Sequence, residues 1–291
     1  MFLFSPEGPI LIYLLIYNEA EVMEMYSCIN LHFTDFCNFH CKHCFVKKEN
    51  CELSFDELKV AVDKIYKYFE DNEIKGRINL AGGEPLMSRN IDRLIDYIAA
   101  KGIEVSIITN GYYLEDSFIE RHKNQISTIG ISVDSLDYDT NVLIGRCFKA
   151  NTLSKEQLIH ICNSIKKAGI RLKINTCLSK LNMDEDFNSF IKEIKPDRYK
   201  ILQMHCDDND LRNKNNMVSK KEAEAFLSKI KFDYIYESSD EMKNSYIIID
   251  SQGNISTNNA HTSNISIFDY DIEEAINLLN IDYANYIKRY I

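Results

Sequence analysis

Ile29-Asn30-Leu31-His32-Phe33-Thr34 leads, two residues later, into Cys37-Asn38-Phe39-His40-Cys41-Lys42-His43-Cys44. Ile29, Leu31 and Phe33 alternate with Asn30 and His32, the period of two that sends side chains to opposite faces of a strand. A short strand therefore feeds directly into three crowded cysteines. They lie too close together for three separate disulfides, and the total of nine cysteines is odd. In a reducing cytoplasm such a cluster means metal or redox chemistry and not a framework of bridges.

The segment before this strand supports that compartment. Residues 1–30 contain no Lys or Arg, so the charged start of a secretory signal is missing. The apolar run at 9–17 is too short to span a bilayer. Residues 1–27 are read as a leader segment, with Met23 or Met25 as an alternative start, and no membrane contact is expected.

Downstream the pattern repeats. Apolar or β-branched runs at 29–34, 77–80, 104–109, 128–133, 171–176 and 198–203 alternate with stretches of helical period. One such stretch opens at Ser54 with Glu57 three residues on, a capping-box signature. Others are expected at 91–100, 114–122, 155–167, 185–194 and 220–230. Six strand-then-helix units argue for a parallel sheet with helices outside, curled by right-handed crossovers into a partial (βα)6 barrel. No Pro-, Gly- or Ser-rich linker interrupts 28–231. From Phe232 short strands at 246–250 and 254–256 replace the alternation, read as a small C-terminal cap over 232–291.

The composition excludes several classes. With 45% hydrophobic residues, 10 Gly and 4 Pro, the chain is neither disordered nor collagen-like. Its 34 Lys and Arg against 44 Asp and Glu, a formal charge of −10, repel polyanions at long range, so no nucleic-acid partner is expected. A small anionic ligand requires its cations to be gathered in one pocket.

Three thiolates on a tight loop can hold three irons of a cubane and leave the fourth open for chemistry. The competing reading is a structural zinc site completed by Cys51, His40 or His43, and with it a zinc-stabilised interaction module. Zinc knuckles usually pair two short ligand arms, and only one is present. Ala81-Gly82-Gly83-Glu84-Pro85 closes the second strand: the glycines allow close backbone approach to a ligand, and Glu84 can accept hydrogen bonds from an ammonium group. Both motifs fall at C-terminal strand ends, the rim where sites form in parallel barrels.

These two motifs together resemble the radical S-adenosylmethionine (SAM) superfamily. The resemblance implies a [4Fe–4S] cluster held by Cys37, Cys41 and Cys44, with SAM chelated to its open iron. By matching position, Gly82, Gly83 and Glu84 take the SAM amino end, while Asn110, Ser132 and Arg146 take its ribose and carboxylate. His43 stands where that family commonly has Phe or Tyr, which keeps a flat ring for adenine stacking.

The strand pattern also places cations. Lys173 and Asn175 share one face of the fifth strand, and Arg198 and Lys200 one face of the sixth. Arg77 and Asn79 do so on the second strand, and Asn30 and His32 on the first. If Ile and Leu face the helices, these cations point into the barrel. The stretches 171–176 and 198–203 contain no acidic residue, so an anion is expected to fill the space, and four cations suit a triphosphate.

Over about 30–250 the chain further resembles the viperins, radical SAM enzymes of antiviral defence that dehydrate nucleoside triphosphates. The resemblance rests on Asn141-Val142-Leu143-Ile144-Gly145-Arg146, Lys173-Ile174-Asn175, Asn182 with Glu185-Asp186, Arg198-Tyr199-Lys200, Glu237-Ser238, Met242-Lys243 and Ser245-Tyr246. It implies removal of the ribose 4′-hydrogen by a 5′-deoxyadenosyl radical, loss of the 3′-hydroxyl as water, and a 3′-deoxy-3′,4′-didehydro chain terminator. It assigns Asn30, Arg77, Lys173, Asn175, Arg198 and Lys200 to the nucleotide and Tyr246 to final hydrogen delivery. Lys243 and Glu237 are read as ligands or as cap anchors. The stretch 256–264 departs from the animal proteins, leaving CTP, UTP or GTP as substrate. The implied electron donor is a flavodoxin or ferredoxin, and the expected state is a monomer. Another radical SAM activity on a phosphorylated small molecule is the nearest alternative.

Overall fold

The computed structural model describes residues 25–46, 48–205, 211–258 and 264–288. The expected leader up to residue 24, Cys206 and the centre of the 256–264 stretch lie outside them.

Among the described residues nine strands form one sheet: β1 (Met25–Thr34), β2 (Ile74–Gly82), β3 (Glu104–Thr109), β4 (Ile126–Ser132), β5 (Arg171–Leu178), β6 (Arg198–Gln203), β7 (Ile235–Glu237), β8 (Ile248–Ile249) and β9 (Ile255–Ser256). Their order is β7-β6-β5-β4-β3-β2-β1-β8-β9, with every neighbouring pair parallel except β8–β9. The helices are α1 (Phe55–Asp71), α2 (Ile91–Ala100), α3 (Asp116–His122), α4 (Tyr138–Ile144), α5 (Lys155–Lys167), α6 (Asn188–Ile194), α7 (Lys220–Leu227), α8 (Ser239–Met242), α9 (Ile272–Leu278) and α10 (Tyr283–Lys288). None among the described residues is long and apolar enough to cross a membrane.

The six expected strand–helix units are present in sequential order. Ile29, Leu31, Phe33, Ile78, Leu80, Val105, Ile107, Ile129, Ile131, Leu172, Ile174 and Ile201 all join the buried core. On α1, Leu58, Ala61, Val62, Ile65 and Phe69 are buried, and the helix starts at the Ser54–Glu57 capping box read from sequence. Burial of this apolar stripe against β2 is the main force holding each unit, at roughly 1.5–3 kcal/mol per large side chain.

The change of texture at Phe232 does not mark a separate layer. Residues beyond it extend both edges of the same sheet, β7 beside β6 and β8 beside β1. The buried Tyr286 hydroxyl on α10 hydrogen-bonds the backbone N–H and C=O of Cys28 at 3.0 and 3.1 Å and Ser27 Oγ at 2.7 Å. The C-terminal stretch thus covers the edges of β6 and β1, and β7 and β9 become the ends of an open sheet.

Candidate functional site

Cys37, Cys41 and Cys44 lie on the loop leaving β1, which is clamped from two sides. At the end of β2, Gly83 N–H donates to Thr34 O and Glu84 N–H to Phe36 O, both at 2.7 Å. A Cβ at Gly83 would lie 2.2 Å from Phe36 O. The close approach of Gly83 is to the start of the cysteine loop, and that of Gly82 is to the end of β1, where a Cβ would lie 2.3 Å from Thr34 O. On the other side His40 N–H donates to Gly145 O at 3.0 Å and Lys42 N–H to Ile144 O at 2.8 Å. Gly145 has φ +86°, and a Cβ there would meet His40 O at 2.3 Å, so only glycine fits.

Glu84 is buried, and its carboxylate accepts from Thr109 Oγ1 at 2.6 Å, Asn110 N at 2.8 Å and Leu86 N at 3.1 Å. Its side chain therefore braces the end of β2 against the end of β3.

Arg146 follows α4 and is also spent on the chain. Its guanidinium donates to Asp134 Oδ2 at 2.7 Å and to Ser132 O at 2.6 Å, with Nη1 3.9 Å from Cys41 Sγ. Asp134 is the residue that sequence reasoning missed. Its carboxylate also meets His43 Nε2 at 3.1 Å and accepts from Cys177 N at 2.8 Å. Burial opposes its charge, but Arg146 and His43 outweigh burial and hold the carboxyl well below its ordinary value. The only sequence signal was its place directly after β4, two residues beyond Ser132.

The donor set suits an iron–sulfur cluster. Burial pushes the Cys41 thiol up to about 12 and raises Cys37, so a cationic metal must supply the charge that makes these sulfurs thiolates. Arg146 near Cys41, and Asn110 Nδ2 at 3.9 Å from Cys37 Sγ, place N–H donors against the sulfurs. Among the described residues no three His, Cys, Asp or Glu side chains converge on one metal-ion position, as a mononuclear zinc site would need. Thiols spread along a loop can instead each cap a separate iron. Beside them a small cavity is lined by Phe39, Asn110, Ser132, Ser135, Asn141 and Arg146. On its wall buried Asn141 Oδ1 has no hydrogen-bond partner, and neither has buried Asn38 Nδ2 on the cysteine loop, which is not itself a wall; the two leave an acceptor and a donor for a polar ligand such as SAM. Gly82, Gly83 and Glu84 are not among its walls.

A second cavity of about 180 Å³ occupies the barrel interior. Asn30, Arg77, Lys173, Arg198, Lys200 and Tyr246 all line it, as the strand alternation implied. Asn79, Ser106, Thr128, Arg171 and the carboxylate Asp197 are also among its walls and were not singled out as ligands from sequence. Asn30 Oδ1 accepts from Asn79 Nδ2 at 2.9 Å, whose Oδ1 accepts from Ser106 Oγ at 2.8 Å. Asn175 is buried but is not a wall of this cavity; its Oδ1 has no partner. Lys173 sits opposite Arg198 and Asn175 opposite Lys200 in the β5–β6 register.

One expectation needs correction. The cations were read as lacking carboxylates because their own strands carry none. Neighbouring strands supply them: Glu104 on β3 lies 3.8 Å from Arg77 and 2.7 Å from Arg171, and Glu237 on β7 pairs with Lys200. The Lys173 ammonium makes no hydrogen bond or ion pair among the described residues. Burial, with Lys200 and Arg198 beside it, pushes its ammonium well below the ordinary lysine value. The interior remains a place where an anion is favoured, with fewer uncompensated charges than the strands alone imply.

Residues 31–194 match the model of the radical SAM superfamily. An S-adenosylmethionine-dependent nucleotide dehydratase of Lacinutrix mariniflava is 34% identical across 94% of this chain, which spans 60% of that longer protein. One of Psychrobacter lutiphocae is 30% identical across 94% of this chain and 98% of its own length. Streptococcus suis SuiB bound to S-adenosylmethionine shares the fold, with a TM-score of 0.65 over 88% of this chain and 66% of that one at 16% identity.

Proposed function

The chain belongs to the radical SAM superfamily, among the S-adenosylmethionine-dependent nucleotide dehydratases, and from that premise we propose that it dehydrates a nucleoside triphosphate to the 3′-deoxy-3′,4′-didehydro chain terminator. The observation that carries this reading is the interior cavity: five strand cations, Arg77, Arg171, Lys173, Arg198 and Lys200, line it against a single wall carboxylate, Asp197, on the inner face of the barrel whose rim holds the cysteine loop.

In this proposal Cys37, Cys41 and Cys44 hold a [4Fe–4S] cluster. When bound there, the cluster and SAM would supply the radical chemistry for hydrogen abstraction from the ribose 4′-position. Asn110, Ser132 and Arg146 shape the SAM pocket, the last two through the backbone of β4, while Gly82, Gly83 and Glu84 set the loop that faces the methionine end. Arg77, Lys173, Arg198 and Lys200 hold the phosphates by charge; Asn30 and Asn175 orient the sugar end by hydrogen bonds. Such positioning supplies the geometry that radical transfer between two carbons requires. Tyr246 lines the cavity, and in this reading it delivers the final hydrogen atom.

The enzyme acts in the cytoplasm as an antiviral monomer that receives electrons from a flavodoxin or ferredoxin. Incubation of the iron-loaded protein with SAM, dithionite and each nucleoside triphosphate in turn, followed by mass spectrometry, tests the reading. Loss of water from one nucleotide supports it. SAM cleavage unaffected by all of them, with no dehydrated product, overturns it.

A further inference from the structure

Lys200, Glu237 and Tyr246 form a closed ring. The Lys200 ammonium pairs with Glu237 Oε1 and donates to the Tyr246 hydroxyl at 3.1 Å, and that hydroxyl donates to Glu237 Oε2 at 2.5 Å. Lys200 and Glu237 are each only 5% exposed. Lys200 and Tyr246 line the interior cavity, whereas Glu237 is not among its walls. An anion in the cavity and the carboxylate of Glu237 therefore compete for the same ammonium from different sides.

We propose that Glu237 is an internal counter-ion that competes with ligand phosphates for Lys200 and so sets the minimum negative charge a ligand must carry to enter this pocket. The proposal rests on the reading of the cavity as a nucleoside triphosphate site and deepens it by naming what makes the site selective for the longer phosphate chain. Without ligand, the carboxylate offsets the repulsion created where Lys173 faces Arg198, and it is the group that favours the charged form of Lys173. With ligand, the phosphates take over that task and Glu237 becomes a like charge near an anion in a desolvated space, which lowers affinity. A short phosphate chain cannot offset that repulsion; a triphosphate, engaging Lys173, Arg198 and Lys200 together, can. Selectivity then comes from a repulsive element as well as from attraction. Tyr246 ties the device to the chemistry, because its hydroxyl proton is committed to Glu237 until Lys200 is drawn toward a ligand.

The test compares wild-type protein with E237Q by calorimetric titration with inorganic triphosphate and with pyrophosphate, each variant first shown to be folded by its thermal transition. E237Q is expected to bind pyrophosphate roughly tenfold tighter, and triphosphate by a smaller factor, so that the ratio between the two ligands narrows. A purely structural role for Glu237 would weaken both ligands or leave their ratio unchanged, and either result overturns the proposal. If E237Q fails to fold, E237D withdraws the carboxylate by one methylene and is expected to give the same narrowing with a smaller amplitude. Wild-type protein that binds neither ligand would overturn the nucleotide reading itself; wild-type binding without the narrowing would overturn only the role of Glu237.

Discussion

Lys173 and Arg198 are register partners on β5 and β6, two cations placed side by side within the barrel. Like charges directly opposite each other destabilise a sheet, and here burial adds to the cost. The folded value of Lys173 is depressed below its unfolded value, so the unfolded chain holds the proton more readily. Stability therefore rises as pH climbs from the depressed value toward the ordinary one, and below that window the charged lysine is a constant penalty.

Lys173→Met is accordingly expected to stabilise the ligand-free fold at neutral pH while removing nucleotide binding. In a chain of this size each kcal/mol gained appears as about 2–4 °C in the thermal midpoint. Differential scanning calorimetry with and without triphosphate checks both halves. A variant that melts lower than wild type in the absence of ligand contradicts the argument.

The same depression makes binding depend on pH. Triphosphate requires the ammonium form, so its affinity should fall as pH rises through the depressed Lys173 value, and binding above that value should take up a proton. Arg77, Arg198 and Lys200 push in one direction and Glu237 in the other. Titration in two buffers of different ionisation enthalpy measures the uptake; identical apparent enthalpies across the pH range would exclude it.

Asp134→Asn leaves the Arg146 guanidinium buried without its partner and detaches His43. Breaking a buried pair in this way costs about 3–5 kcal/mol. Thermal denaturation of the cluster-free protein should show that loss, and iron content after reconstitution should fall because the loop carrying Cys41 and Cys44 loses its contact through His43.

Gly145→Ala forces a side chain onto φ +86° and against His40 O. Overpacking of this kind costs about 1–3 kcal/mol, and the displaced cysteine loop should bind less iron. Iron per chain and visible absorbance after anaerobic reconstitution measure this. Cys41→Ala provides the reference, with SAM cleavage abolished.

Much of this architecture is legible in sequence because its signals are local. The alternation of Lys173 and Asn175 with Leu172 and Ile174 depends only on the strand period, and the inward placement of Lys173 followed from it. The Ser54–Glu57 cap needs three residues and no tertiary contact. By contrast α4, Tyr138–Ile144, buries Asn141 and Ile144 while Val142 and Leu143 are exposed, so it carries no apolar stripe for the sequence to show. The strand β7 is three residues, Ile235–Glu237, and exists because β6 offers an edge.

What the chain determined by itself is the order of strands and helices, the crowding of three thiols after β1 and the face on which each cation lies, since all of these follow from spacing along the backbone. Tertiary structure alone decided that Glu104 and Glu237 meet those cations, that Asp134 joins Arg146 to His43, and that Gly83 and Gly145 grip the cysteine loop. Those contacts join residues on different strands and loops, and which of them meet depends on register and sheet order. Register is settled by the simultaneous burial of every apolar face, a property of the whole sheet that no single stretch contains.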